Sequence, residues 1–116
     1  MIRQGDVFWL DLGEPAGSGP GFLHPYVVVQ SDIFNVSRIW TVVVCELTSN
    51  LQRADAPGNV RLMKGEGNLE TESVVDISQI YTVDKTALVK KIGSLSKSRI
   101  VEISAGLRLL VEPREV

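Results

Sequence analysis

Two uninterrupted apolar runs in the first half of the chain constrain its fold most. Residues 26–30 and 39–47 are rich in valine and carry apolar side chains at consecutive positions. A strand that alternates apolar and polar residues leaves one face to solvent, whereas a continuous apolar strand is covered on both faces. The two runs therefore predict central strands of a sheet that has packed side chains on each side.

Shorter strands are expected around this centre. Branched and aromatic residues bounded by Gly, Pro and Asn predict four of them, at residues 6–12, 59–63, 73–83 and 89–94. The resulting five or six strands, with helices toward the chain end, predict one mainly β domain over residues 1–116. We expect a strongly curved antiparallel sheet that closes toward a small barrel.

The last part of the chain has helical periodicity. From residue 96 onward the apolar positions recur every three or four residues, with Ser96 or Ser98 available as the N-cap and Pro113 as the stop. A shorter helical turn is expected near Asp84, whose carboxylate would cap it. The long helix should lie on the sheet with its apolar face inward.

Composition excludes several classes of protein. The 116 residues include 12 basic and 14 acidic side chains, so the net charge of -2 provides no global field that attracts nucleic acid, and a polyanion would need a local patch. The single cysteine, Cys45, cannot form an intrachain disulfide and is interpreted as a buried strand residue in a reducing compartment. No bilayer-length apolar run or signal-peptide pattern is present, which predicts a cytoplasmic protein.

Most familiar catalytic motifs are absent. The chain has one histidine, no Cys-x-x-Cys, no His-Glu-x-x-His, no P-loop and no Gly-x-Ser-x-Gly. The glycines at 17, 19 and 21 precede a strand instead of a helix, which argues against a dinucleotide fingerprint. We therefore expect no metal and no cofactor.

One candidate site remains, at the ends of the two central strands. A glycine-rich loop ends at His24 and Pro25, and Thr48 follows the next strand. If these strands are antiparallel neighbours, His24 and Thr48 share a pocket in which an imidazole and a hydroxyl can act on a phosphodiester. The alternative is structural: Thr48 would satisfy backbone groups of a turn, and His24 would pack under the loop.

Short motifs recur in order along residues 3–111 and together resemble the MazF/PemK-type toxins of bacterial toxin-antitoxin systems. They are Gly5-Asp6-Val7-Phe8-Trp9-Leu10-Asp11-Leu12, Gly17-Ser18, His24-Pro25, Val27-Val28-Val29, Leu47-Thr48-Ser49, Ser73-Val74-Val75, Ser78-Gln79-Ile80 and Thr82-Val83-Asp84-Lys85. Each motif is short, but their collinear order over nearly the whole chain is specific.

The resemblance implies a fold, an activity and partners. The fold would be an SH3-like barrel of the CcdB/MazF type with a C-terminal helix, assembled as a homodimer. The activity would be metal-independent, sequence-selective cleavage of single-stranded RNA by 2'-OH attack, commonly leaving a 2',3'-cyclic phosphate. A cognate antitoxin would wrap the dimer and cover the RNA groove.

The resemblance also assigns site residues. The family's catalytic pair is an arginine and a threonine; the threonine is matched by Thr48, and His24 stands at the arginine position. The implied RNA-binding residues are Ser18, Gly21, Ser49, Asn50, Arg53, Ser78, Gln79 and Tyr81.

Three departures remove charge from the expected site. His24 replaces a permanently cationic arginine with a side chain that can carry a proton, while Gly19 and Tyr81 stand where the family has an acid and an arginine. Tyr81 could stack on an unpaired base or be an ordinary cross-strand aromatic residue. The cationic residues between 85 and 99 are interpreted mainly as a solvated helix-and-turn face.

A second function therefore stays open. The lost charges favour a protein-binding module on the same fold, either a weakened toxin that sequesters an antitoxin or a gyrase-directed poison of the CcdB type. The matched Thr48 and the intact loop length favour the nuclease.

Overall fold

The computed structural model describes residues 1–11 and 23–116. The candidate residues Ser18 and Gly21 lie outside the described residues. The strands are β1 (Asp6–Asp11), β2 (Leu23–Val28), β3 (Thr41–Thr48), β4 (Val60–Leu62), β5 (Ser73–Asp84) and β6 (Leu88–Ser94). The helices are α1 (Asp32–Asn35) and α2 (Lys97–Val111), with 3-10 turns at Leu51–Asp55, Glu66–Asn68 and Lys85–Ala87.

The six strands form one antiparallel sheet in the order β4-β5-β3-β2-β1-β6. Val27 at its centre is aligned with Val7 on one side and Cys45 on the other. The mainly β architecture with a C-terminal helix is confirmed, and so is the antiparallel pairing of the two valine-rich strands. This pairing carries the candidate site.

The sheet does not close into a barrel, which corrects the expected closure. Its terminal strands, β4 and β6, do not pair with each other in the described parts of the chain. The 3-10 turn after β4 packs on β6 instead: the Asn68 amide donates to the Ile92 carbonyl at 3.1 Å. A Cβ at Gly93 would collide with the Gly67 carbonyl, so β6 fits against this turn only with glycine there.

Packed side chains cover both faces of the central strands, as the continuous apolar runs predict. One cluster includes Val7, Val27 and Cys45, and the other includes Val28 and Val44. All five are essentially inaccessible to solvent. The expectation of a buried Cys45 is confirmed.

The C-terminal helix is confirmed with its predicted cap. The Ser96 hydroxyl accepts a hydrogen bond from the Arg99 backbone N–H at 3.3 Å, and α2 ends two residues before Pro113. Ile103 and Gly106 are its buried residues and face the sheet. A turn also follows Asp84, but the Asp84 side chain makes no cap bond, so that predicted carboxylate cap is wrong.

Two strand boundaries differ from the predictions in a way that matters for the site. β2 begins at Leu23, so His24 and Pro25 belong to the strand and not to the loop before it. The reason is pairing with β1, in which Leu10 is aligned with His24 and Asp11 with Leu23. β3 begins at residue 41 and not 39 because the unpredicted helix α1 and its following turn occupy the connection.

Candidate active site

A groove of about 670 Å³ opens beside the end of the sheet where β2 begins and β3 ends. Its volume is in the range of sites that bind small molecules or single nucleotides. The residues that line it are Trp9, His24, Pro25, Glu46, Leu47, Thr48, Ser49, Asn68, Leu69, Glu70, Thr71, Ser73, Lys90, Lys91 and Ile92.

The two residues predicted as the catalytic pair both line this groove. The β2–β3 register aligns Tyr26 with Glu46, so extension by two residues brings His24 across from Thr48 on the same face. His24 is exposed and Thr48 is half-buried. The Thr48 hydroxyl oxygen accepts the Asn50 backbone N–H at 3.1 Å, which orients the hydroxyl and leaves its own proton available to a ligand.

Two of the predicted RNA-binding residues follow Thr48 directly. Ser49 lines the groove and is exposed. Asn50 begins the 3-10 turn Leu51–Asp55, where its side-chain oxygen accepts the Gln52 backbone N–H at 3.2 Å. The turn bond leaves the amide nitrogen of Asn50 as the donor that a ligand could use.

Arg53 and Ser78 are held by a buried carboxylate outside the groove lining. The Arg53 guanidinium lies 2.7 Å from Asp76, which is only 3% exposed. The Ser78 hydroxyl donates to the same carboxylate at 3.4 Å, and the Asn59 amide does so at the same distance. Arg53 thus neutralises a buried acid, which reduces the charge it can offer to a phosphate.

Gln79 lies within a bulge of β5, and Tyr81 lies just beyond it. Cys45 of β3 is aligned with Ile80, but the next residue of β3 is aligned with Asp76, so residues 77–79 bulge out. The Tyr81 hydroxyl donates to Gln79 at 3.0 Å, and its ring packs edge-to-face on Tyr26 at 5.8 Å. Tyr81 and Tyr26 therefore form a cross-strand aromatic pair, which is one of the two roles that the sequence left open for Tyr81.

Trp9, Glu46 and Lys90 are among the groove residues that sequence reasoning missed. Lys90 lies on β6, which corrects its assignment to a helix-and-turn face, and it makes no ion pair with another residue of the described ranges. Its neighbour Lys91 is 3.3 Å from the buried carboxylate of Asp6. Lys90 is therefore the lining lysine that remains available to an anion.

Glu46 could have been found from strand alternation. It precedes Thr48 by two residues on the same strand, so the two share a face of the sheet. It is half-buried, and within residues 1–11 and 23–116 it has no ion pair or side-chain hydrogen bond. Burial, followed by the charge of Glu46 and by Tyr81, raises the pKa of the Tyr26 phenol, which keeps that hydroxyl protonated.

The donors of the groove suit an anion such as a phosphate. Histidine, threonine, serine and lysine side chains offer N–H and O–H groups to its oxygens. The part of the chain that the structure describes contains no cluster of three or more His, Cys, Asp or Glu residues arranged for a metal ion. It also contains no helix of the length and apolarity needed to span a membrane.

Comparisons with known proteins agree with one another. Residues 3–111 match the family of PemK-like, MazF-like toxins of type II toxin-antitoxin systems. The chain is 38% identical over 112 residues to the endoribonuclease MazF6 of Mycobacterium tuberculosis, covering 97% of this chain and 98% of that protein. It is 36% identical to the endoribonuclease MazF of Staphylococcus epidermidis, covering 92% and 88% of the two chains.

Solved structures show the same fold. A mycobacterial endoribonuclease in complex with its cognate antitoxin aligns with a TM-score of 0.79 at 22% identity, covering 99% of this chain and all of that one. MazF of Deinococcus radiodurans aligns with a TM-score of 0.73 at 19% identity over 97% of each chain. With a family match over nearly its full length and relatives above 30% identity, the chain belongs to the PemK-like, MazF-like toxins of type II toxin-antitoxin systems.

Proposed function

We propose that this toxin is a metal-independent, sequence-selective endoribonuclease that cleaves single-stranded RNA by attack of a 2'-OH on the adjacent phosphodiester. The observation that carries the proposal is that His24 and Thr48, on neighbouring strands, line one groove. The curated relatives are named endoribonucleases, which supports the same activity here.

In this mechanism the His24 imidazole acts as the general base. It takes the proton of the 2'-OH, the 2'-oxygen bonds to phosphorus, and the bond from phosphorus to the 5'-oxygen breaks. The leaving 5'-oxygen takes a proton from water, and the hydroxide so formed recovers the proton from the His24 imidazolium, which regenerates the base. The products are a 2',3'-cyclic phosphate and a 5'-OH end.

Thr48 and Lys90 stabilise charge that develops on the phosphate oxygens. The Thr48 hydroxyl is oriented by the Asn50 N–H, so its proton can be donated to a non-bridging oxygen. Lys90 supplies the positive charge that a histidine at position 24 provides only when protonated. Ser49 adds a further hydroxyl donor from the same strand end.

In this proposal Gln79, Tyr81 and Asn50 contribute to the recognition of bases. Gln79 and Tyr81 present an amide and an aromatic edge that bases could contact, and Asn50 adds an amide donor. We further propose that the protein works in the cytoplasm as a homodimer whose cognate antitoxin covers the groove. The antitoxin bound to a structural neighbour of the same fold supports this partner.

The test is cleavage of a long single-stranded RNA by purified protein in EDTA. Cleavage at defined sites is expected, with cyclic-phosphate ends identified by mass spectrometry. His24→Ala should reduce the rate by a factor of about 10² to 10⁴, the range for loss of a general base. Thr48→Ala should also reduce it strongly, and Thr48→Ser should retain most activity because the hydroxyl remains.

Thr86→Ala is the matched control, since Thr86 is an exposed threonine on a turn that does not line the groove. Intact RNA across many sequences, combined with tight antitoxin binding, would refute the nuclease and leave a protein-binding module.

A further inference from the structure

We propose that Glu46 is the positioning residue for His24: its carboxylate accepts a ring N–H of the imidazole and holds the other ring nitrogen toward the reacting hydroxyl. The inference rests on the nuclease function proposed above and adds a residue to its site. It starts from two observations: His24 and Glu46 both line the groove, and Glu46 has no ion pair or side-chain hydrogen bond, to His24 or to any other described residue.

The strand register brings the two residues onto one face. Glu46 is aligned with Tyr26, and His24 is two positions from Tyr26 on the same strand. Diagonal neighbours of this kind in an antiparallel pair have Cα atoms about 7 to 8 Å apart, and long side chains reach across that distance. The side chains of glutamate and histidine are long enough to meet across that gap.

An unpaired carboxylate beside a phosphate-binding site is unfavourable for binding, so its presence there calls for a functional explanation. Glu46 repels an RNA backbone, and Asp76, its partner on the neighbouring strand, is already neutralised by Arg53. A carboxylate next to a catalytic imidazole has a use, because it fixes the tautomer and stabilises the imidazolium formed when the base takes its proton.

The other charged groups around the groove do not substitute for Glu46. Lys90 and Lys91 on β6 are cations and cannot accept an imidazole N–H. Asp11 on β1 is aligned with Leu23 and does not line the groove. Glu70 also lines the groove, but it follows the 3-10 turn Glu66–Asn68 and is on neither β2 nor β3.

The first test needs no RNA. His24 is the only histidine of the chain, so the ¹⁵N chemical shifts of its two ring nitrogens report its tautomer without overlap. In the native protein one neutral tautomer should predominate, and Glu46→Ala should convert it to a mixture. Glu70→Ala is the matched control, a carboxylate removed from the same groove, and should leave the tautomer ratio unchanged.

The second test separates positioning from charge. Removal of a negative charge from an RNA site should leave KM equal or lower, whereas loss of positioning should reduce kcat by about ten- to a hundred-fold. Glu46→Asp, which keeps the carboxylate, should recover part of kcat. A purely repulsive role predicts a lower KM with kcat unchanged, and a purely structural role predicts that Glu46→Asp recovers nothing.

The inference is overturned if Glu46→Ala leaves the tautomer ratio unchanged, or if Glu70→Ala changes it equally. Such a result with normal RNA cleavage by the native protein would refute the role of Glu46 alone. A tautomer that depends on Glu46 in a protein without nuclease activity would support the pairing and refute the proposed function. Dispersed amide spectra of each variant exclude misfolding as the cause.

Discussion

Arg53 and Asp76 form an ion pair of 2.7 Å in which the carboxylate is buried and the side chain of the arginine is 45% exposed. The arginine follows β3 and the aspartate lies on β5, so the pair ties the 3-10 turn after Thr48 to the sheet. This contact positions the chain immediately beyond the proposed catalytic threonine. It also explains why a buried acid is tolerated beside the bulge of β5.

Loss of Arg53 should therefore reduce stability more than loss of an exposed arginine. Arg53→Ala leaves the Asp76 charge buried without its ion-pair partner, and we expect the free energy of unfolding to fall by about 2 kcal/mol. Arg61→Ala is the control because its partner Glu72 is partly solvated, and it should cost less than about 1 kcal/mol. Urea denaturation measures both; equal losses would contradict the buried-charge argument.

A glycine contact fixes how closely α2 approaches the sheet. A Cβ at Gly106 would collide with the Gly58 carbonyl and lie 3.1 Å from an Ile77 side-chain carbon. Alanine improves helix propensity by up to about 1 kcal/mol, but the clash is with backbone, which cannot move aside cheaply. Gly106→Ala should thus destabilise the protein by about 2 kcal/mol net in thermal or urea unfolding.

Val101→Ala tests the same helix without the contact. Val101 is 64% exposed on α2, so its truncation should change stability by less than about 0.5 kcal/mol. If Gly106→Ala were as stable as Val101→Ala, the helix would not depend on this close approach.

The sheet centre could be predicted because its signal is local. Val27 and Val44 sit in continuous apolar runs, and such runs predict strands covered on both faces before any pairing is known. The N-cap of α2 at Ser96 could likewise be predicted from neighbouring residues. The candidate pair His24 and Thr48 followed from one assumption, that consecutive strands pair antiparallel.

The rest of the groove depends on pairings between distant segments. β1 pairs with β6, which brings Lys90 next to Trp9 across some eighty residues of chain, and no local pattern encodes that register. That the sheet does not close into a barrel could not be predicted either, because the close packing of Gly67 and Gly93 brings the turn after β4, and not β4 itself, against β6. The sequence around Arg53 likewise gives no sign that this residue pairs with the buried Asp76.

The buried thiol gives a chemical test of the core. Burial, reinforced by the Asp76 charge, raises the pKa of Cys45 to about 12. At pH 8 the thiolate fraction of the folded protein is then about three orders of magnitude below that of an unfolded chain. Cys45 should resist iodoacetamide in the native state and react in denaturant. Rapid native labelling, read by mass spectrometry, would contradict this packing.

A second ion pair joins the turn after β4 to α2 and should make stability depend on pH. Glu66 accepts two hydrogen bonds from the Arg99 guanidinium, each 2.9 Å, and one from the Met63 N–H at 2.7 Å. Hydrogen bonds from Arg99 are the largest cause that lowers the pKa of Glu66 from its usual 4.5. Because the folded value is the lower one, the pair contributes fully above pH 4.5, and its contribution is lost as pH falls through the folded pKa.

Glu66→Gln should accordingly reduce the free energy of unfolding by about 1 kcal/mol at pH 7 and by progressively less as the pH falls through the folded pKa of Glu66. The reason is that native Glu66 itself becomes protonated over that range, so the two proteins approach the same charge. Glu112→Gln, which removes the exposed partner of Arg114, should show no comparable change over the same range. A series of urea denaturations from pH 7 downward checks this, and a Glu66→Gln deficit that stays constant over the whole acid range would mean that shape, and not charge, makes the contact stabilising.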